Sequence, residues 1–405
     1  MIYDLIIIGG GAAGLFAGAS LPQKINGLII EKSASPGKKL LMSGSGQCNL
    51  THCGSIKDFL SHYGNQGKSI RSVLYQFNND ALISFFNQRG LPTIAREDGK
   101  IFPKSMKAQK VLDCLTSLCK ENGLSLITSS NVIALEQDEK SNRYSVICKD
   151  QTYRSKKIIV ATGGCSYPTT GSDGSFFSVL TKLGICINPL RPALAPIYVE
   201  GYPYAELSGT SFDTVKLQIR SKEGKKIAER SDSLLFTHKN LSGPVILNSS
   251  RFAVSGSYLQ IQYVPSLSKE ELFGLLREKH DGNQKQLLSV LQELLPLPKR
   301  FLEVICKRLS LSANQKFSQT AGSDIKRLAD LLTNDTYRIS RLEEFNKSMA
   351  TSGGISLSEV HLKTMESKRF PHLYFAGEIL DVDGDTGGYN LQFAFSSAYV
   401  AAQQI

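Results

Sequence analysis

The stretch IIIGGGAAG, residues 6–14, constrains the fold more than any other feature of this sequence. Gly9, Gly11 and Gly14 form a GxGxxG pattern directly after an apolar run and before the helix-like segment LFAGASL. Glycines in this pattern permit a tight turn and close backbone approach, so that amides at the helix N-terminus can bind a pyrophosphate. The sequence therefore predicts a strand–helix–strand unit that binds a dinucleotide.

The identity of the dinucleotide depends on other segments. A second apolar run, GLIIE, ends in Glu31, whose carboxylate can accept hydrogen bonds from a ribose in either FAD or NAD. Two later strand-like segments, KKIIVATGG at 156–164 and LYFAGEILDVDGDTGGYN at 373–390, also run into glycines. Three glycine-containing strand ends suit a long, extended cofactor, which favours FAD.

The middle of the chain changes its periodicity twice. Four prolines in INPLRPALAPIYVEGYP disfavour a helix or a central strand and predict a crossover between domains. Alternating apolar residues in DTVKLQIRSKEGKKI and YLQIQYV then predict an antiparallel sheet or small barrel, and helical spacing begins near Ser268. We predict a discontinuous FAD-binding domain, 1–190 and 345–405, interrupted by a β-rich domain, 191–267, and a helical subdomain, 268–344.

Composition restricts the partners and the compartment. The formal net charge is +11, but the basic residues are scattered, so we do not expect nucleic-acid binding. Apolar runs stay below the ~18 residues of a membrane span, and no cleavable leader precedes the first strand, which predicts a cytoplasmic protein without a membrane span. Eight cysteines without CxxC and six histidines without HxxxH predict free thiols and no metal site.

Eight motifs together resemble one family of proteins. They are IIIGGGAAG, GKKLLMSGSGQCNLT, GKIFPKSMKA, ATGGCSYPTTGSDG, LLFTHKNLSGPVIL, TSGGISLSEV, TMES and LYFAGEILDVDGDTGGYNLQFAFSSAYVA. In this order, across nearly the whole chain, they are similar to the YhiN/BaiN-like NAD(P)/FAD-dependent oxidoreductases, flavoproteins related to aminoacetone oxidase. The resemblance implies an α/β fold: a glutathione-reductase-type, Rossmann-like FAD-binding domain interrupted by a β-barrel-like domain and a helical subdomain.

The resemblance also assigns cofactor contacts, residue by residue. Around the adenosine and pyrophosphate it implies Gly9, Gly11, Ala12, Ala13, Gly14, Glu31 and Lys32, with the backbone of Val132 at the adenine. Along the rest of the cofactor it implies Ala161, Thr162, Gly163 and Gly164, then Gly377 and Glu378 near the ribityl phosphate, and Gly387, Gly388, Asn390 and Leu391 beside the flavin ring. If a terminal helix begins near Tyr389, its positive end would favour the negative charge of reduced flavin.

These features predict an enzyme in which FAD exchanges a hydride with a small organic substrate. No second GxGxxG follows residue 180, so either NAD(P)H binds transiently over the flavin, or oxygen or a quinone is the second partner. A flavin-dependent RNA-modifying enzyme and a non-catalytic redox sensor are the alternatives. The sequence leaves the catalytic residues and the oligomeric state open. Tyr167 and His238 are candidate acids or bases for which structural roles are favoured, and Asp383 and Asp385 are expected to fix their loop.

The stretch GQCNLTHC places Cys48 and Cys53 at the spacing of a redox dithiol. A disulfide reductase would also need a separate NAD(P)H domain, which the sequence does not predict. The family pattern includes the first cysteine and lacks the second. We therefore expect Cys48, with Asn49, to lie on a loop near the flavin and to shape its pocket. The basic segment GKIFPKSMKAQK is expected to be a solvated face.

Overall fold

The computed structural model describes residues 1–138 and 141–405. The chain divides into two compact units, the first comprising 1–193 with 345–405 and the second 194–344. No helix in the described part of the chain combines the length and apolar character needed to cross a membrane.

The first unit is built around a mixed sheet with a parallel centre, and it also contains two smaller sheets. Its strands are β1 (Ile2–Ile8), β2 (Gly27–Ile30), β3 (Thr51–His52), β4 (Thr93–Ala95), β5 (Lys100–Pro103), β6 (Leu124–Ile127), β7 (Val132–Asp138), β8 (Arg143–Cys148), β9 (Thr152–Val160), β10 (Ile187–Ala193), β17 (Ala350–Ile355), β18 (Val360–His361), β19 (Glu366–Ser367) and β20 (Leu373–Phe375). Its helices are α1 (Ala12–Ala19), α2 (Lys38–Met42), α3 (Ile56–Phe59), α4 (Arg71–Gln76), α5 (Asn79–Gln88), α6 (Ala108–Glu121), α7 (Ser175–Lys182) and α13 (Tyr389–Ala402).

The main sheet has the order β18-β19-β20-β9-β1-β2-β6, with β7 and β8 joined to it through β9. Within the run β20-β9-β1-β2-β6, adjacent strands pair in parallel, so the carboxyl ends of these five strands meet at one edge. Residues 5–8 of β1 are fully buried, as a central parallel strand requires. Helix α13 packs against α1 and is buried around nearly its whole circumference. The predicted α/β, Rossmann-like fold is confirmed.

Two smaller sheets complete the first unit. Strands β3, β5 and β4 form an antiparallel sheet in that order. The proline-rich segment supplies β10, which pairs only with β17 in the described structure and carries an irregularity between Asn188 and Arg191. Pro189 and Pro192 are tolerated there because an edge strand need not donate every backbone hydrogen bond.

The second unit contains a closed barrel with the strand order β11-β14-β13-β12-β15-β16. The strands are β11 (Ile197–Val199), β12 (Ser211–Arg220), β13 (Lys226–Phe236), β14 (Leu241–Ser242), β15 (Tyr258–Gln262) and β16 (Asp335–Leu342). The helices are α8 (Pro244–Ser249), α9 (Lys269–Glu278), α10 (Leu287–Leu294), α11 (Lys299–Arg308) and α12 (Gly322–Thr333). The alternating Val215, Leu217 and Ile219 face the barrel core. The last barrel strand, β16, lies within the range 268–344 that the sequence assigns to a helical subdomain.

Candidate dinucleotide-binding site

The carboxyl ends of four parallel strands bring the predicted cofactor segments together. Gly9 N–H donates to the carbonyl of Ile30 at 2.8 Å, and Ala161 N–H donates to the carbonyl of Ile8 at 2.8 Å. Ala376 N–H donates to the carbonyl of Val160 at 3.0 Å. The GxGxxG turn, the ATGG segment and the AGE segment therefore share one edge of the sheet. Open α/β sheets bind their ligands at this edge.

The glycine-rich turn after β1 leaves room for a ligand only at its tip. Gly9 has a φ of +107°, and a Cβ there would lie 2.4 Å from the carbonyl oxygen of Ala161. A Cβ on Gly14 would lie 1.9 Å from the carbonyl oxygen of Gly9, whereas one on Gly11 would meet no described atom within 4 Å. Helix α1 begins after Gly11 with neither a side-chain cap nor an acidic residue in its first turn. Its first amides, including those of Ala12 and Ala13, can therefore receive a pyrophosphate.

The carboxylate of Glu31 is held in place by backbone amides. Glu31 is 9% exposed; one oxygen accepts a hydrogen bond from Gly10 N–H at 2.8 Å, and the other accepts from Ser33 N–H at 2.6 Å. The carbonyl of Glu31 also accepts from Ser130 N–H at 3.0 Å, which ties the segment leading to Val132 to this carboxylate. Lys32 instead directs its ammonium to Asp173, at 2.5 Å.

The ATGG segment carries a polar atom without a partner. The side-chain oxygen of Thr162 is buried and has no hydrogen-bond partner within residues 1–138 and 141–405. The side-chain oxygen of Asn49, next to Cys48, is in the same situation. Buried polar atoms are normally satisfied, so these two atoms point to a polar ligand. Together with the open amides of α1, they fit a dinucleotide cofactor.

Glu378, after β20, is joined to Lys39 from the start of α2. A carboxylate oxygen of Glu378 lies 2.6 Å from the Lys39 ammonium, and the other accepts hydrogen bonds from Ser166 Oγ at 2.9 Å and Thr351 N–H at 2.7 Å. Lys39 also donates to Ser166. This cluster fixes the segment around Gly377, whose N–H donates to Ser397 in α13 at 2.9 Å.

The N-terminus of α13 lies at the end of a glycine pair. Gly387 and Gly388 have φ values of +119° and +102°, and a Cβ on Gly388 would lie 2.6 Å from the backbone of Thr51. The helix begins at Tyr389, as predicted, and has no side-chain cap and no acidic residue in its first turn. Asn390 exchanges two hydrogen bonds with the backbone of Gly384, at 2.8 and 2.9 Å, which closes the preceding loop. Leu391 is partly buried.

The remaining sequence candidates differ in their environment. Cys48 is fully buried, and burial raises the pKa of its thiol to about 12, so it does not form a thiolate at neutral pH. Cys53 is exposed, and both are free thiols. Tyr167 is partly buried in the first unit, with a φ of 52°, and its N–H donates to the carbonyl of Phe345. His238 is exposed in the second unit.

Sequence reasoning missed a histidine beside the start of α13. Nδ1 of His62 lies 3.0 Å from a carboxylate oxygen of Asp385, and its ring stacks on Tyr389 with centroids 4.0 Å apart. His62 and Asp385 are 323 positions apart, and no local motif links them. The only signal was the expectation that Asp385 fixes its loop.

Comparison with known proteins identifies the family. Residues 3–404 match the model of the HI0933-like protein Rossmann domain. The chain belongs to the HI0933-like family. This membership confirms the resemblance to YhiN/BaiN-like flavoproteins, with FAD as the cofactor and flavin-dependent oxidoreductase as the enzyme class. Bound FAD supplies two-electron redox chemistry, and the residues described above would bind and orient it.

This HI0933-like chain is similar in sequence to two relatives of named activity and similar in fold to one solved structure. It is 30% identical to the ribosomal RNA dihydrouridine synthase of Escherichia coli over 409 residues, which cover 100% of this chain and 98% of that protein. It is 28% identical to the 3-dehydro-bile acid delta(4,6)-reductase of Clostridium scindens, with coverage of 98% and 97%. The 3-ketosteroid delta1-dehydrogenase of Sterolibacterium denitrificans shares its fold, with a TM-score of 0.52, 12% identity and coverage of 99% and 98%.

Proposed function

We propose that this protein reduces a carbon–carbon double bond conjugated to a carbonyl group, using a hydride from reduced FAD. One observation carries the proposal: two relatives that align over the whole chain are named for reductions of this kind. Dihydrouridine is uridine in which such a bond has been reduced, and a delta(4,6)-reductase of a 3-keto compound acts on the same type of bond. The substrates differ, so the shared element is the reaction.

The arrangement at the sheet edge supports this chemistry. The open amides at the start of α13 form the positive end of a 14-residue helix. If the flavin ring lies beside Gly387 and Gly388, these amides stabilise the anionic charge of the reduced ring. We propose NAD(P)H as the reductant. The chain carries no second GxGxxG after residue 180, so the nicotinamide would bind transiently over the flavin and not in a domain of its own.

A two-step anaerobic experiment tests the reaction. The FAD-loaded protein is first mixed with NADH or NADPH while flavin absorbance is followed, with free FAD as the control. The reduced protein is then mixed with 2-cyclohexen-1-one, 4-androstene-3,17-dione or a ribosomal RNA transcript. We expect bleaching by one nicotinamide and reoxidation by at least one of the three acceptors. Protein that is reduced by nicotinamide but reoxidised by none of the three acceptors would contradict the proposal.

Uracil in RNA is a second candidate substrate, favoured by the relative named a ribosomal RNA dihydrouridine synthase. A surface feature supports it. Five exposed cationic side chains, which we call the basic strip, lie on or beside the end of α5, β4, β5 and the start of α6: Arg89, Arg96, Lys104, Lys107 and Lys110. Strand β5 pairs with β3, where the backbone of Thr51 packs against Gly388. Strand β5, directly followed by Lys104 of the basic strip, is thus separated from Gly388, at the start of α13, only by strand β3.

RNA binding and RNA reduction can be measured separately. Affinity for a ribosomal RNA transcript should fall steeply as salt rises, because bound cationic side chains displace counterions from phosphates. Mass spectrometry of the digested transcript should show a uridine carrying two additional hydrogen atoms. RNA that binds without becoming reduced would contradict this second candidate and leave the small-molecule arm of the panel to decide the substrate.

A further inference from the structure

We propose that His62, oriented by Asp385, donates the proton that completes the reduction of the double bond. The inference rests on the proposed reductase function and adds to it a residue for the proton, since hydride transfer alone leaves the carbon next to the carbonyl with negative charge. General acids that deliver such protons are most often histidines held by a second group.

The geometry of His62 suits a held donor. Nδ1–H donates to Oδ2 of Asp385 at 3.0 Å, and the Asp385 side chain is only 2% exposed. The backbones are tied as well, because Asp385 N–H donates to the carbonyl of His62 at 2.9 Å. The ring stacks on Tyr389 at an interplanar angle of 13°, which fixes its plane. The imidazole therefore has one defined orientation.

The other ring nitrogen of His62 is available for a substrate. Nε2 has no hydrogen-bond partner in the described part of the chain, and the side chain is 35% exposed. His52, the other histidine near Tyr389, differs, since its two ring nitrogens lie 2.7 and 2.9 Å from the carbonyls of Cys53 and Asp98. Among these two rings, only His62 presents a nitrogen that can exchange a proton.

The position of the pair favours a role in the reaction. Asp385 stands two residues before Gly387, and Tyr389 follows Gly388, so the stacked pair borders the segment expected beside the flavin ring. Tyr389 is a poor proton donor for this task, because burial, followed by the nearby Asp385 carboxylate, raises the pKa of its phenol to about 12. Five other titratable groups lie near the His62–Asp385 pair: Tyr389, Tyr63, His52, Cys53 and Asp58.

The proposed step balances in atoms and charge. The carbon β to the carbonyl receives a hydride from the reduced flavin, and the carbon–carbon π electrons move toward the carbonyl. The α carbon then takes the proton from Nε2 of protonated His62. Oxidised FAD, the saturated product and a neutral imidazole result, and the imidazole regains its proton from solvent. Asp385 keeps the proton on Nδ1 throughout.

The test compares His62→Gln and Asp385→Asn with His361→Gln, which alters an exposed histidine on β18 of the same unit. At saturating FAD, reoxidation of the reduced protein is timed with the most effective acceptor of the panel above and with ferricyanide, which takes electrons without needing a proton on carbon. We expect His62→Gln to slow the double-bond acceptor on the order of a hundredfold. Ferricyanide oxidation and reduction by nicotinamide should stay within about twofold.

Two readouts do not depend on turnover. FAD affinity, measured by fluorescence, should be unchanged in His62→Gln. In ¹⁵N NMR spectra of FAD-free protein, the His62 signals, assigned by their loss in His62→Gln, should shift in Asp385→Asn because the Nδ1–H···carboxylate bond is gone.

The outcomes separate the two proposals. Unchanged double-bond reduction in His62→Gln overturns the role of His62 while the reductase function stands. Equal slowing with ferricyanide, or unchanged His62 signals in Asp385→Asn, also overturns it, because the pair would then be structural. Wild-type protein that nicotinamide reduces and ferricyanide reoxidises, but that reduces no double bond, overturns the proposed function and the proton donor with it.

Discussion

The ammonium of Lys39 lies 2.6 Å from a carboxylate oxygen of Glu378, although 339 positions separate the two residues. Their side chains are 29% and 21% exposed, so solvent screens this pair less than a surface pair. A double-mutant cycle with Lys39→Met and Glu378→Gln should give a coupling free energy of about 1 kcal/mol or more. The coupling free energy is obtained from urea unfolding of the four proteins of the cycle, monitored by the increase in FAD fluorescence as the cofactor is released.

The matched control is the ion pair between Lys156 and Asp4, at 2.8 Å with side chains 60% and 40% exposed. The cycle Lys156→Met with Asp4→Asn should give a coupling of about 0.5 kcal/mol or less, since exposed pairs are worth little. Equal coupling energies in the two cycles would show that the Lys39–Glu378 pair is no more than a surface contact.

Substitutions of two glycines should separate folding from cofactor binding. A Cβ on Gly14 would lie 1.9 Å from the carbonyl of Gly9, so Gly14→Ala should destabilise the first unit by about 1–3 kcal/mol. A Cβ on Gly11 would meet no described atom within 4 Å, but it would enter the space assigned to the pyrophosphate. Gly11→Ala should therefore weaken FAD binding and cost FAD-free protein less than about 1 kcal/mol.

Thermal unfolding of FAD-free protein and fluorescence titration with FAD distinguish the two effects. If Gly11→Ala binds FAD as tightly as the wild type, the pyrophosphate does not lie at this turn. If Gly14→Ala has wild-type stability, the turn has relaxed and the steric argument is wrong.

Thiol labelling should distinguish Cys48 from Cys53. Because burial raises the pKa of Cys48 from 9.0 to about 12, folding favours its neutral form. The corresponding stability is present below pH 9.0 and is lost as pH rises toward 12. At about pH 8, a disulfide reagent should label the exposed Cys53 and Cys186 quickly and Cys48 only after unfolding.

Cys53→Ser/Cys186→Ser is the control variant, and while folded it should lose the fast labelling of these two thiols, which leaves the partly exposed Cys114 as the next thiol to react. Fast labelling of Cys48 in that variant, identified by peptide mapping, would contradict its burial. Paired oxidation of Cys48 and Cys53 during flavin turnover would revive the redox dithiol.

Features set by residues close together in the sequence can be predicted from it, whereas contacts between residues far apart in the sequence cannot. The GxGxxG turn, Glu31 and the start of α13 at Tyr389 follow from local chemistry, because a turn, a strand end and a helix start each leave a short pattern. The contacts of Glu378 with Lys39 and of His62 with Asp385 depend on how distant strands converge. No short stretch of the sequence contains both members of such a pair, so a local pattern cannot predict the contact.

Short strands next to stronger signals are also difficult to predict. The alternation in DTYRISRL forms β16, but it follows the helical spacing of α12 after a single residue, Asn334. The prolines that mark a crossover likewise obscure β10, since edge strands tolerate proline. Strand β16 forms because it pairs within the barrel, and β10 forms because it pairs with β17, so tertiary contacts outweigh local propensity in both cases.

A buried network in the second unit should be sensitive to one carboxylate. Asp335, 1% exposed, accepts hydrogen bonds from the hydroxyls of Tyr263 at 2.8 Å and Tyr337 at 2.6 Å, and pairs with Arg308 at 3.1 Å. Asp335→Ala should lower the free energy of unfolding of this unit by about 3–5 kcal/mol, because it leaves the partly buried Arg308 cation and two buried hydroxyls without their acceptor. Tyrosine near-UV circular dichroism reports the loss, since the chain has no tryptophan.

Asp330→Ala is the matched control in the same unit. Asp330 pairs with Lys269 at 2.5 Å, but the two side chains are 45% and 37% exposed, so the cost should be about 0–1 kcal/mol. If Asp335→Ala costs no more than Asp330→Ala, the hydroxyls and Arg308 have found other partners, and the network is not a determinant of stability.

Removal of charge from the basic strip tests the RNA candidate. Lys104, Lys107 and Lys110 are exposed, and their replacement by alanine should weaken binding to a ribosomal RNA transcript at low salt. If all three contact phosphates, the slope of log affinity against log salt concentration should become less steep by about 2–3. The triple variant Lys24→Ala/Arg143→Ala/Lys149→Ala removes the same charge from other exposed positions of the first unit and should leave most of the slope intact. Equal loss in both variants would mean that RNA responds to net charge, and the basic strip would then have no specific role.

In either variant, nicotinamide should still reduce the flavin at the wild-type rate, because none of these lysines or Arg143 belongs to the cofactor contacts. A triple variant that loses flavin reduction as well has been damaged in its fold, and the separate measurement of FAD affinity detects that case.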